Sequence, residues 1–304
     1  MKRPVLHLLL LLTTMASLKP CEASHCPGNI ANVTPRFTHG ASIVVPVVIN
    51  QKGPFDFILD TGTQTTVIDP TLASELGLKP EGPIVLVSLA GRAAASRAQL
   101  NRLEIGPHVV ENPFVIVHEL RQIQSTDHYI RGILGQNFLA HFDLLIDYSH
   151  KLVCLDETGT MQENIRGEHI PLVTPTSPEN ELAFTKSLIL SVHLSGTASR
   201  QTLLKLDSGS SGPILYTSHG KPSLPAVAKW TRGATVGKTQ ALFALLPPQE
   251  MKIGTRTFGA ITFVTPVSFE EDAPKREEDG LLPTVLFKRV YISSRDRYVI
   301  LEPR

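Results

Sequence analysis

Phe57-Ile58-Leu59-Asp60-Thr61-Gly62-Thr63 and Leu203-Leu204-Lys205-Leu206-Asp207-Ser208-Gly209-Ser210 decide how the rest of the chain is read. Each is a short, mostly apolar run of the kind that forms a strand, ending in an aspartate, a small hydroxyl residue and a glycine. The aspartates are offset by 207 − 60 = 147, and other landmarks nearly keep that offset. Leu103-Glu104-Ile105-Gly106 answers to Met251-Lys252-Ile253-Gly254 at 148, and Gly132-Ile133-Leu134 to Gly280-Leu281-Leu282, also at 148. Ser42-Ile43-Val44-Val45-Pro46-Val47 recurs as Ser187-Leu188-Ile189-Leu190-Ser191-Val192 at 145. Self-similarity at a fixed offset marks a duplicated unit.

Each copy reads as strands. Short β-branched or apolar runs such as Ile84–Val87, Phe114–Val117, Leu144–Tyr148 and Tyr298–Leu301 are broken by Gly, Pro, Asn or Asp roughly every 8–12 residues. The one segment with helix signals is Thr71–Leu78, which follows Asp69-Pro70 and has Gly77 near its end. Residues 156–182, with Pro171, Pro175 and Pro178, read as a linker. The expected organisation is therefore a mostly β chain, with one lobe over 36–155 and a second, similar lobe over 183–304.

Composition narrows the function classes. The 304 residues are 42% hydrophobic and 19% charged, which supports a buried core and argues against disorder. Lys+Arg 29 against Asp+Glu 28 gives +1, so no polycationic surface for nucleic acid or anionic lipid is expected. At the N-terminus, Lys2 and Arg3 precede an apolar stretch over Val5–Leu12 and then small residues. That order predicts a signal peptide over residues 1–23; the apolar run is too short for the roughly 20 residues that span a bilayer. A secreted or periplasmic protein is expected, with no membrane attachment after cleavage. Cutting after Ala23 leaves Cys26 and Cys154 as the two cysteines, free to pair in an oxidising compartment and pin the N-terminal arm to the first half.

The chemistry lies in the two aspartates. A lone Asp-Thr/Ser-Gly is most simply an Asx-turn at a strand end, but that reading accounts poorly for two matched copies. Carboxylates at equivalent places in duplicated units can meet, and at hydrogen-bonding distance both do not ionise easily. Such a pair can hold a water, take its proton with one member and hydrogen-bond a substrate carbonyl with the other, with no metal or cofactor. Other motifs fall short. Gly233–Thr239 is one residue too short for a phosphate loop, and no HExxH or GxSxG is present. A glycosidase also uses two carboxylates but does not call for matched loops in duplicated halves.

Leu59-Asp60-Thr61-Gly62-Thr63-Gln64-Thr65-Thr66-Val67-Ile68, extended by Asp69-Pro70 and Leu72–Leu78, resembles the active-site segment of retropepsin-like bacterial aspartyl proteases. Gly132-Ile133-Leu134-Gly135-Gln136-Asn137-Phe138-Leu139 resembles the element that braces that loop from behind. The likeness is specific over 36–155 and looser beyond Leu206–Ser211. It implies two closed-β lobes with a cleft between them, and a monomeric aspartic endopeptidase acting on peptides or proteins with Asp60 and Asp207 as catalytic residues. Thr61 and Ser208 would lock the two loops together, Gly62 and Gly209 would line the cleft, and Thr63 and Ser210 would each donate to a neighbouring carboxylate. Such donation favours an acidic working range. A hairpin around Val87–Arg92, with a counterpart near Trp230–Gly233, is expected over the cleft.

The second half departs from the pattern. Pro283 stands where the first half has Gly135, removing a backbone donor, and Gly212-Pro213 with a polar 216–221 stretch replaces the helix. The loop 270–279 is highly charged. These changes leave a second expectation open, a catalytically silent protein that binds peptides.

Overall fold

A computed structural model describes residues 25–38, 42–88, 91–173, 187–196, 201–216, 230–235, 238–267 and 276–304. The expected signal peptide, residues 1–23, lies outside them, as do 174–182 of the expected linker, the polar 217–221 stretch and most of the charged 270–279 loop.

In the first half, turn residues cut the chain into strands β1 (Arg36–Phe37), β2 (Ile43–Ile49), β3 (Lys52–Leu59) and β4 (Val67–Ile68), then helix α1 (Pro70–Glu75). Asp69 caps α1 by accepting from the Leu72 amide at 2.8 Å, and Pro70 supplies the fixed φ of a first helical position. The helix thus ends earlier than the Thr71–Leu78 expectation, with Gly77 past its end at φ +69°. Next come β5 (Glu81–Ser88), β6 (Gly91–Gln99), β7 (Arg102–Ile105), β8 (His108–Glu111), β9 (Phe114–Val117), α2 (Arg121–Gln124), β10 (Ile130–Leu134) and α3 (Gln136–Leu139). β11 (Asp143–Asp147) and β12 (Leu152–Asp156) follow.

The stretch expected as a linker carries structure: α4 (Thr160–Asn164) and β13 (Ile170–Pro171). The second half then runs β14 (Ile189–Leu194), β15 (Gln201–Asp207), β16 (Ile214–Leu215), β17 (Trp230–Thr235), β18 (Lys238–Leu245), β19 (Gln249–Ile253), β20 (Arg256–Ile261), β21 (Val264–Pro266), β22 (Gly280–Pro283), β23 (Phe287–Ser293) and β24 (Tyr298–Pro303).

The sheets show why the sequence repeats. One has the order β5-β6-β9-β4-β10-β3-β2-β7-β8, with β1 beside β2. Another has the order β17-β18-β21-β16-β22-β15-β14-β19-β20. Each position of the first matches a position of the second, down to the parallel pairings of β3 with β10 and β15 with β22. Both aspartates therefore leave the same strand of the same topology. The third sheet, β12-β11-β23-β24-β13, is built by both halves, through antiparallel pairs such as Leu144 with Ile292 and Ile146 with Val290.

A contiguous apolar core runs through both halves, including Phe57, Leu59 and Phe138 from the first and Leu204, Leu206 and Phe287 from the second. Fully buried strands such as β11 and β12 show no polar alternation because both faces are covered. Cys26 and Cys154 form a disulfide with a Cα–Cα distance of 5.9 Å. It ties the N-terminal arm to β12, where Asn32 also bridges Cys154.

Candidate active site

Each aspartate stands where an apolar strand runs out and its backbone turns back on itself. After β3, the amides of Gly62 and Thr63 donate to Asp60 Oδ1 at 2.8 and 3.1 Å. After β15, the amides of Gly209 and Ser210 donate to Asp207 Oδ1 at 2.7 and 3.0 Å. These are paired Asx-turns, as each sequence predicts by itself.

What the two turns do together is not local. The Thr61 amide donates to Ser208 Oγ and the Ser208 amide to Thr61 Oγ1, both at 3.0 Å. In turn Thr61 Oγ1 donates to the Leu206 carbonyl at 3.0 Å, and Ser208 Oγ to the Leu59 carbonyl at 2.8 Å. Each buried hydroxyl thus donates once and accepts once across the junction, leaving no cost of unmade hydrogen bonds. The glycines cross over as well. A Cβ on Gly62 would stand 2.6 Å from Asp207 Cγ, and one on Gly209 would stand 2.6 Å from Asp60 Cγ. Only a residue without a side chain lets each loop pass so close to the other's carboxyl.

Asp60 and Asp207 are thus brought together, each carboxyl lying against the glycine of the other loop. Burial, and next the charge of Asp60, push the Asp207 carboxyl well above the ordinary carboxylate range. The Gly209 amide and Lys205 act the other way. Lys205 lies two residues before Asp207 on β15, hence on the same face of the strand. The first half has Ile58 there. A lysine two positions before the aspartate, where the first copy has an isoleucine, is the sequence signal of this asymmetry.

The hydroxyls that follow the glycines differ. Thr63 Oγ1 donates to Asp60 Oδ2 at 2.6 Å, as expected. Ser210 Oγ instead donates to the Gly212 carbonyl at 2.8 Å, so only its amide serves Asp207. The expected hydroxyl donation from Ser210 is corrected accordingly. The Gly212-Pro213 turn brings a carbonyl within its reach, and the first half has no such turn.

The braces differ too. In the first half the Gln136 and Asn137 amides donate to the Thr63 and Gln64 carbonyls, both at 2.9 Å. Gln136 Nε2 reaches the Thr61 carbonyl at 3.0 Å, and Asn137 Oδ1 accepts from the Thr66 amide and hydroxyl at 2.8 and 2.7 Å. Gly135 lets this segment sit against the loop: a Cβ there would meet Thr65 C at 2.8 Å. In the second half Pro283 has no amide proton to offer. The next residue, Thr284, shares a 2.6 Å hydrogen bond with the Tyr148 hydroxyl from the first half. Burial pushes that tyrosine up to about 12.

The two expected hairpins are present as β5–β6 and β17–β18. The Trp230 side chain lies outside the described residues. One second-half side chain reaches the first-half hairpin: Arg276 Nη2 donates to the Ser88 carbonyl at 3.1 Å.

Two matched sheets thus each present an aspartate, and their loops interlock. Residues 45–138, from β2 to α3, match the family model described as Aspartyl protease. The match supports a protease, a hydrolase in the broad sense. No curated protein matches the chain. A crystal structure of a retropepsin-like aspartic protease from Rickettsia conorii is similar at 19% identity, over 42% of this chain and 88% of that one, with a TM-score of 0.30.

Proposed function

We propose that the chain is an exported aspartic endopeptidase of two closed-β lobes, acting as a monomer on a peptide held in the cleft between them. Asp60 is the general base that takes a proton from the attacking water. Asp207, which burial keeps protonated to unusually high pH, hydrogen-bonds the scissile carbonyl oxygen. As the tetrahedral intermediate collapses, a proton passes to the leaving amine, and no metal or covalent intermediate takes part. The observation that carries this reading is the interlock of the two aspartate loops, with each loop's glycine against the other's carboxyl. A disulfide between Cys26 and Cys154 is consistent with an oxidising compartment and hence with export.

The test is cleavage of a mixed peptide library by purified protein across about pH 3 to 8, beside Asp60→Asn and Asp207→Asn. Cleavage that disappears in both variants supports a shared pair. Loss in Asp60→Asn alone points to two first halves pairing between chains, and a folded protein that cuts nothing sinks the peptidase. A peptide-binding protein without turnover is the second reading, favoured by the missing amide at Pro283 and the diverted Ser210 hydroxyl.

A further inference from the structure

Hairpin β5–β6 forms one end of its sheet, and among the described residues its outer strand has no strand neighbour on its outer side. Val85 and Val87 on that outer strand are 62% and 43% exposed, and β6 is rich in alanine, Gly91-Arg92-Ala93-Ala94-Ala95. An edge hairpin with so little side-chain packing lies at the low-stability end of a fold. Against it stands Arg276, from the opposite half, donating to the Ser88 carbonyl near the hairpin's tip.

The guanidinium is held from three sides. Its Cζ lies 4.7 Å from the centroid of the Tyr216 ring. Its Nη1 stands 3.9 Å from Glu278 Oε1, an oxygen that Lys205 Nζ approaches at 3.4 Å. Glu278 is buried, and the Tyr216 amide donates to the Asp279 carbonyl at 2.8 Å. A flat fork can stack on a ring, meet a carboxylate and still direct an N–H at a carbonyl; a lysine's point charge cannot do all three.

We propose that Arg276 is a positioning residue that clasps the first-half hairpin to the wall formed by Tyr216 and Glu278. In doing so it sets how readily a peptide is received and retained at the aspartate pair. The consequence for peptides rests on the peptidase reading above; the clasp itself does not. A charge-assisted hydrogen bond on an edge hairpin is strong enough to shift its opening by about tenfold.

The experiment is amide hydrogen exchange on the full chain for the unmutated protein, Arg276→Met and Arg276→Lys, alongside KM and kcat on a cleaved peptide. Methionine keeps apolar cover on Tyr216 and removes the donor. The expected result is about tenfold faster exchange over 81–99 in Arg276→Met with 201–207 unchanged, an intermediate value for Arg276→Lys, and KM rising by more than kcat falls. Unchanged exchange over 81–99, or an equal rise over 201–207, overturns the clasp. A loosened hairpin with KM and kcat unaltered on a cleaved peptide overturns the consequence for peptides. If the unmutated protein cleaves nothing, the peptidase reading fails while the exchange data still decide the clasp.

Discussion

Thr61 and Ser208, 147 residues apart, each give an amide to the other's hydroxyl at 3.0 Å. Because each hydroxyl also donates to a carbonyl of the opposite loop, deleting either one strands a buried amide and a buried carbonyl. Thr61→Ala and Ser208→Ala should each destabilise the fold by about 2–4 kcal/mol, and Thr61→Ser by less than about 1 kcal/mol. Urea unfolding with a shared m-value reads the difference. Equal stability of the three variants and the unmutated protein would show that the interlock contributes nothing.

Gly62 and Gly209 are constrained by space, since each faces the opposite carboxyl group. Gly62→Ala and Gly209→Ala should remain folded while kcat/KM falls by about 100-fold or more, because a displacement near 1 Å misplaces the reacting groups. Gly259→Ala is the matched control, with nothing within 4 Å of the added carbon. Kinetics on one cleaved peptide, with circular dichroism to confirm folding, make the comparison.

Lys205 offsets part of the upward push on Asp207. The protonated form of Asp207 is the one the proposed chemistry needs, so the alkaline limb of the activity profile follows this group. Removing the cation in Lys205→Met should move that limb to higher pH. A limb that stays put, or moves down, assigns it to another group.

His108 is buried on β8 with its ring 5.0 Å from that of Phe142, and no hydrogen bond to either ring nitrogen is found among the described residues. Burial lowers its pKa in the folded state, against the pull of Glu157 and Asp156. The unfolded chain therefore takes up the proton first, so stability is full above the ordinary histidine pKa of about 6.5 and falls as pH drops through it. His108→Leu should flatten this loss, so the stability difference between variant and unmutated protein grows in the variant's favour from about pH 7 to about pH 5. Thermal unfolding at several pH values measures it, and parallel curves would exclude His108.

The Cys26–Cys154 disulfide closes a separation of 128 residues. On chain-entropy grounds its loss in Cys26→Ser/Cys154→Ser should cost about 2–5 kcal/mol, with the same lowering of Tm when the unmutated protein is reduced. Urea and thermal unfolding of the double variant and of the unmutated protein, oxidised and reduced, check both statements.

Much of this site can be read from residue order because its parts are local. An apolar strand, an Asx-turn and a glycine are contiguous at 57–63 and again at 203–210, so the motif carries its own geometry. Helix α1 is legible for the same reason, through Asp69 and Pro70, although its last turn is shorter than the spacing suggests. The five-stranded sheet is illegible because its central pairing joins Leu144 to Ile292, and no local periodicity records a partner so distant. The Ser210 hydroxyl is missed for a finer reason. Its direction depends on a carbonyl two residues later, and a motif written as residue types does not contain that. Arg276 escapes likewise, lying within a charged run whose ordinary fate is solvation.

The matched order of the two nine-strand paths carries a consequence for how the halves can change. In a pair of identical chains, any replacement in one aspartate loop appears in the other as well. Here the copies share one polypeptide, and each can be altered alone. Lys205 opposite Ile58, Pro283 opposite Gly135 and Ser210 turned toward Gly212 are differences that strict symmetry forbids. The distinct circumstances of the two carboxyls are thus inherited in the gene, rather than assigned afresh each time a ligand arrives.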